Sequence, residues 1–176
     1  MDWSTLLATV LGAAVAMSTS LMVERRKDRH DAESAWRRAK YDQYAAFLMA
    51  LTSARWALLD IARDKELEPE ERHRRADRAF AACYMERHRL ELCAPDDVAL
   101  AAAEYFRMVR EFRDRVRDGS LLLSQEAYTE LKGRAKKTML EARRRMTADI
   151  LPDTSGSRYL ARDADYLQAA VELADF

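Results

Sequence analysis

Apolar residues recur mostly every three or four positions in four separate stretches of the chain, a spacing typical of amphipathic helices, and the second stretch is the weakest because Arg87 interrupts it. The first stretch comprises Trp36, Tyr44, Phe47, Leu51, Ala54, Leu58 and Ile61, and the second comprises Ala76, Ala79, Phe80, Cys83 and Leu90. The third comprises Val98, Ala102, Tyr105, Val109, Phe112 and Val116, and the fourth comprises Tyr128, Leu131, Ala135, Met139, Ala142 and Met146. No segment alternates with period two, so the pattern predicts an all-α protein.

Residues that start and stop helices separate these stretches. Pro69 and Pro95, each followed by acidic residues, predict the starts of the second and third helices. The pair 118–119 (Asp-Gly) predicts the end of the third helix, and Ser124 is a predicted N-cap of the fourth. Four long helices with short connections favour an antiparallel up-down-up-down bundle.

The N-terminal segment is predicted to be a transmembrane anchor. Leu6 to Val23 contains 18 residues without a charge. Counted from Trp3 the run has 21 residues, which is about 31 Å of helix against a hydrocarbon core of about 30 Å. The basic residues Arg25, Arg26, Lys27 and Arg29 follow the span. The positive-inside rule therefore places the N-terminus outside a bacterial inner (cytoplasmic) membrane and the bulk of the chain in the cytoplasm. A cleaved signal peptide and a buried core helix are the alternative interpretations.

The absence of Gly and Pro between Gly12 and Pro69 predicts one nearly continuous helix from the anchor into the bundle. The predicted organisation is an anchor at 1–23, a charged juxtamembrane stalk at 24–35, a cytosolic bundle at 36–151, and a linker with a short amphipathic helix at 152–176. The last helix places its apolar side chains in one row, formed by Leu160, Leu167, Val171 and Ala174.

Two predicted contacts involve the membrane. Small residues recur every fourth position in the span, at Ala8, Gly12, Ala16 and Ser20. Such a row lets two helices approach closely in lipid, so it is a candidate surface for homo-oligomer formation, although an Ala-rich span also produces such rows by chance. The basic residues Arg25, Arg26, Lys27 and Arg29 are expected to contact lipid headgroups.

Charge is balanced overall but not locally. The chain has 30 Lys and Arg against 30 Asp and Glu, which argues against a nucleic-acid partner. Residues 120–152 carry seven basic and four acidic residues, a net of +3, whereas 153–176 carry two and five, a net of −3. The basic fourth helix is the simplest partner for this acidic tail. Otherwise it is a solvated face or a docking surface for anionic lipid or an acidic protein.

The candidate partner-binding residues are apolar or basic, and they are Leu121, Leu122, Leu123, Lys136, Arg143, Arg144 and Arg145. In an up-down bundle the fourth helix brings Arg143 to Arg145 to the membrane-proximal end. The three leucines are expected at the tip of the bundle, where they cap the core or, if exposed, bind a partner. Leu123 is also expected to pack on Tyr128 as a hydrophobic staple.

The sequence lacks the residue patterns of common active sites. Glu70-x-x-His73 is the one Glu-x-x-His pair that suits a di-iron bundle, and such a site needs two pairs. Cys83 and Cys93 lie ten residues apart on one predicted helix, about 15 Å, so they are expected to be reduced rather than bridged. We therefore expect no enzyme activity, no metal, no cofactor and no small-molecule substrate.

The residues 24–27 (ERRK) and 36–48 (WRRAKYDQYAAFL) resemble a loose class of small actinobacterial proteins of no named functional family. The resemblance implies an N-terminal membrane helix, a charged stalk and a cytosolic helical domain, and it implies no functional residues.

Together these features predict a non-enzymatic, membrane-anchored helical scaffold, adaptor or regulator that binds a protein partner or itself. The alternative is an oligomeric pore-forming or membrane-perturbing component built on the small-residue row of the span. An enzyme or nucleic-acid protein that uses the Arg-rich helices is a third interpretation.

Overall fold

The computed structural model describes the backbone of residues 3–151 and the side chains of Lys27 and residues 30–151. Within this part of the chain there are four helices and no strand, so the predicted all-α class is confirmed. The helices are α1 (Trp3–Arg63), α2 (Pro69–Glu91), α3 (Asp96–Arg117) and α4 (Gln125–Ile150). The unbroken α1 confirms the helix that the lack of Gly and Pro predicted.

The chain divides into two units, residues 1–39 and residues 40–176. The described side chains of the first unit are mostly exposed, including Lys27 and His30. Trp36 also belongs to this unit and is 55% exposed. Its expected place at the head of the buried row is therefore wrong, because the buried row begins only at Tyr44.

The second unit is an antiparallel bundle. Side-chain contacts join the start of one helix, or for α1 the start of its part in this unit, to the end of a neighbour: Lys40 to Asp149 at 2.8 Å, Gln43 to Glu86 at 3.0 Å, Asp97 to Arg145 at 3.5 Å, and Asp77 to Arg117 at 3.7 Å. These pairs run α1 to α4, α1 to α2, α3 to α4 and α2 to α3. They establish the up-down-up-down order, with α1 and α4 as neighbours.

The core of the bundle contains most of the predicted apolar rows. Tyr44, Phe47, Leu51, Ala54 and Leu58 of α1 are buried, as are the six predicted residues of α3. The sequence pattern missed several buried residues, namely Leu59, Phe106, Met108 and Arg113. Three of these four lie on α3, which packs against both α2 and α4 and is therefore buried over a wider arc than one row.

The start of α4 agrees with one prediction and contradicts another. Ser124 is the N-cap, and its hydroxyl accepts a hydrogen bond from the backbone nitrogen of Ala127 at 3.3 Å. Leu123 is 81% exposed, so the predicted staple of Leu123 on Tyr128 does not bury it. Leu121, which is 2% exposed, covers this end of the core instead.

The two glycines of the described bundle are expected to respond in opposite ways to replacement by alanine. Gly119 has a φ of +67°, and a Cβ there would lie 2.8 Å from Nη1 of Arg72. Gly119→Ala should therefore lower the free energy of unfolding by about 1–2 kcal/mol. Gly133 lies inside α4 with nothing within 4 Å of an added Cβ, so Gly133→Ala should raise it by about 0.5–1 kcal/mol.

Urea titration of the full chain in detergent, followed by circular dichroism, measures both effects. Equal shifts of the unfolding midpoint in the two variants would show that the left-handed backbone at Gly119 does not disfavour alanine there.

Candidate interaction surfaces

One end of the bundle, where residue 40 of α1 meets the end of α4, is closed by a polar cluster. The Asp149 carboxylate accepts hydrogen bonds from Nζ of Lys40 at 2.8 Å and from the Tyr44 hydroxyl at 2.8 Å. Burial, with a smaller effect of the nearby Asp149, raises the pKa of Tyr44 well above its ordinary range. The hydroxyl therefore stays protonated and acts as a hydrogen-bond donor. This cluster fixes the register of α1 against α4.

A second cluster combines aromatic rings with guanidinium groups between α2 and α3. The rings of Phe80 and Phe106 lie 5.1 Å apart, and Tyr84 lies 5.3 Å and 5.5 Å from them. Arg113 is 7% exposed, places its Cζ 5.0 Å from the Phe80 ring, and donates to the Tyr84 hydroxyl at 2.8 Å. The role of this cluster is structural, because the Arg113 guanidinium already contacts Phe80 and Tyr84 within the bundle.

The opposite end of the bundle carries the predicted leucine patch. Leu121 is buried, whereas Leu122 and Leu123 are 43% and 81% exposed. They border a cavity of about 410 Å³ that is also lined by Lys65 and Arg72. We call Leu122, Leu123, Lys65 and Arg72 the distal surface. It is apolar at its centre and cationic at its edge.

The predicted basic members of the partner surface lie elsewhere. Arg144 and Arg145 are near the end of α4 and both pair with Glu141, at 3.9 Å and 2.7 Å. Arg145 also reaches Asp97 of α3. Lys136 and Arg143 are half-buried along α4. The three leucines and the arginine cluster therefore lie at opposite ends of α4.

The predicted membrane contacts can be placed only in part. Ala8, Gly12, Ala16 and Ser20 lie in the helical backbone of α1, but their side chains are outside the described residues, as are those of Arg25, Arg26 and Arg29. Lys27 is exposed. The acidic tail, residues 152–176, also lies outside the described part of the chain. These assignments stay predictions.

Within the described residues, the segment His30–Arg63 is long and apolar enough to span a membrane by length and composition alone. The structure shows, however, that its apolar row is covered by protein. Phe47, Leu51 and Leu58 are fully buried, and the Cys83 thiol of α2 contacts the carbonyl oxygen of Ala50 at 3.6 Å. We interpret residues 40–63 of this segment as a bundle helix.

Two kinds of chemically active residue bear on a metal or catalytic site. No group of three or more His, Cys, Asp or Glu side chains that fits a metal ion occurs among the described residues. Cys83 and Cys93 are free thiols, and burial raises the pKa of Cys83 to about 11. The Cys83 thiol is therefore protonated at neutral pH and a poor nucleophile.

The fold and its surfaces define a helical-bundle protein with an apolar, cation-edged distal surface. Comparisons with protein-family models, with curated proteins and with solved structures found no match.

Proposed function

We propose that this protein is a non-enzymatic membrane scaffold or adaptor, whose bundle binds a protein partner through the distal surface. The exposure of Leu122 and Leu123 beside the cavity carries this proposal. Of the three consecutive leucines, only Leu121 is buried in the core. Exposed apolar groups that cluster around a cavity are typical of interaction sites. The predicted anchor would hold the bundle at the cytoplasmic face of the membrane.

The edge of the distal surface indicates the chemistry of the partner. The Arg72 guanidinium donates to the Leu67 carbonyl oxygen at 3.1 Å, which orients it beside the cavity, and Lys65 is exposed on the other side. A partner segment that inserts an apolar side chain and carries carboxylates next to it fits both features. Acidic amphipathic helices have this composition.

A pair of leucine substitutions tests the distal surface. Leu123→Asp places a charge in the apolar centre, whereas Leu92→Asp changes a leucine that is 87% exposed in the connection between α2 and α3. The full chain is crosslinked in native membranes, and the attached proteins are identified by mass spectrometry. We expect Leu123→Asp to lose the crosslinked partner and Leu92→Asp to retain it.

Because Leu123 is almost fully exposed, its substitution should leave the fold intact, which circular dichroism checks. Identical crosslinked proteins in Leu123→Asp and the unaltered chain would contradict the proposed role of the distal surface. A chain without any crosslinked protein would contradict the scaffold function itself.

A further inference from the structure

The face of α1 that points away from the bundle carries a second row of uncharged, mainly apolar residues. Ala45, Met49, Thr52 and Trp56 follow one another at spacings of 4, 3 and 4, so they lie on one face of the helix. At about 100° per residue this outer row is rotated by about 150° from the buried row of α1. Met49 is 69% exposed and Trp56 is 45% exposed. A helix at the corner of a four-helix bundle needs one apolar face, and α1 has two.

The surroundings of the outer row are also poor in charge. Within residues 43–59 of the sequence, Arg55 is the one charged residue. On the α4 side, the outer row adjoins a groove of about 490 Å³ whose α1 wall includes Tyr41, Ala45 and Leu48. The apolar surface therefore extends from the outer row toward α4.

The exposed area is close to what a stable dimer needs. Tyr41, Met49 and Trp56 are 60%, 69% and 45% exposed. At about 200 Å² for each of these large side chains, the exposed fractions leave roughly 350 Å² uncovered. A standard interface buries about 800 Å² per partner, of which about three-fifths is apolar. These three side chains therefore supply most of the apolar area of such an interface.

Charged residues flank the outer row on two helices. Asp42 and Asp60 are exposed and lie about 50° from the outer row, on the side of α1 that faces away from α4. We call these two residues the acidic flank. On α4, Lys132, Lys136 and Arg143 lie within about 40° of one another, and Arg143 lines the groove beside α1. We call these three residues the basic edge. One molecule thus carries opposite charges on the two sides of one apolar surface.

We propose that the outer row is the interface of a homodimer, in which the α1 helices of two copies run parallel about a two-fold axis. Rotation by 180° about an axis parallel to α1 brings the basic edge of the second copy beside the acidic flank of the first. The same contact repeats on the other side, as two-fold symmetry requires. The outer row packs against its own copy between these two charged contacts. The inference does not depend on the distal surface.

The register of α1 and α4 within one copy predicts which charges meet. Lys40 contacts Asp149 at 2.8 Å, and the two helices are antiparallel. Asp60 lies 20 residues after Lys40, and Lys132 lies 17 residues before Asp149, so both lie at nearly the same height along the bundle. Rotation about an axis parallel to α1 keeps that height. Asp60 therefore lies within about one helical turn of Lys132 of the second copy.

The charges favour the parallel dimer over an antiparallel one. Asp42 lies two residues after Lys40 and Arg143 lies six residues before Asp149, so this pair also meets in the parallel dimer. An antiparallel pair of α1 helices would instead place the two basic edges on one side and the two acidic flanks on the other, where like charges repel. The parallel direction is also the one that two chains share when their predicted anchors enter the same membrane.

Cysteine crosslinking of the full chain in membranes tests the parallel arrangement. Each residue of the outer row meets its own copy, so Ala45→Cys and Thr52→Cys should each form a covalent dimer under mild oxidation. Met85→Cys is the control, because Met85 is 58% exposed on α2. The unaltered chain measures the contribution of the free thiols Cys83 and Cys93. We expect about tenfold more covalent dimer from positions 45 and 52 than from position 85.

Charge reversal tests the flanking contacts. Asp60→Lys should lower the yield of dimer from position 45 by about fivefold, because it replaces two attractions per dimer by repulsions. Lys132→Asp should have a similar effect, and the two changes together should restore the yield. Asp60 is exposed, so its variant should keep the fold and stay informative even if Lys132→Asp disturbs α4.

Several results would overturn the proposal. Equal dimer yields from positions 45, 52 and 85 would show random collision in the membrane. Covalent dimer from only one of positions 45 and 52 would indicate an antiparallel pair, and no dimer from either would exclude a second copy at the outer row. An unchanged yield in Asp60→Lys would assign dimer formation to another surface, such as the predicted span. A failure of the double variant to restore the yield would exclude the stated charge pairs.

Discussion

Replacement of Phe106 by alanine is expected to lower the free energy of unfolding by about 3–5 kcal/mol, as is typical of a buried phenylalanine. Phe106 is 2% exposed and lies between α2 and α3, where its ring contacts those of Phe80 and Tyr84. Alanine would leave a cavity that these neighbours fill only in part. The truncation also removes the ring over which Cζ of Arg87 lies at 4.9 Å, a contact worth about 0.5–1 kcal/mol.

Leu100→Ala is the matched control, because Leu100 lies on the same helix and is 66% exposed. Its effect should stay within about 0.5 kcal/mol. Urea titration of the full chain in detergent, with helical circular dichroism as the signal, measures both variants. A loss below about 1 kcal/mol for Phe106→Ala would show that the aromatic cluster is not a rigid part of the core.

Replacement of Asp149 by alanine should have the second largest effect, a loss of about 2–3 kcal/mol in the free energy of unfolding. The Asp149 carboxylate binds Lys40 and the Tyr44 hydroxyl, and the Lys40 and Asp149 side chains are only 15% and 18% exposed. Loss of one partner in such a partly buried cluster costs more than an exposed ion pair contributes, because the remaining polar groups lose their compensation for burial.

Asp149→Asn separates charge from hydrogen bonding. Asparagine retains an oxygen acceptor for Tyr44 but not the negative charge for Lys40. We therefore expect Asp149→Asn to lower the free energy of unfolding by less than Asp149→Ala does. The same urea titration compares the two. An unchanged midpoint for Asp149→Ala would mean that apolar packing alone sets the register of α1 and α4.

The helices were largely predictable because their signals are local. Pro69, the pair 118–119 and Ser124 each act on the backbone within a few residues, and the structure ends or begins a helix within one residue of each. The apolar rows were equally clear on α3, where every predicted residue is buried. These features depend on spacing along the chain, which the sequence records directly.

The surfaces were less predictable because they depend on which elements meet. Nothing in the spacing of Leu121 and Leu123 shows that the first is buried and the second exposed, since that depends on where the α3–α4 connection crosses the end of the core. Arg113 was also missed, because a charged residue is an unusual core member. Its partner Tyr84 lies on another helix, 29 positions earlier.

The sequence by itself determined that the described chain is helical, where its helices begin and end, and that a long uncharged run precedes a basic one. Each of these follows from residues that are close together in the chain. Only the tertiary structure decided that Asp149 binds Lys40 and Tyr44, that Leu121 is buried whereas Leu123 is exposed, and that Arg113 donates to Tyr84 of another helix. Such features arise where helices distant in sequence pack together, and the burial and partners of a side chain at such a contact depend on both helices.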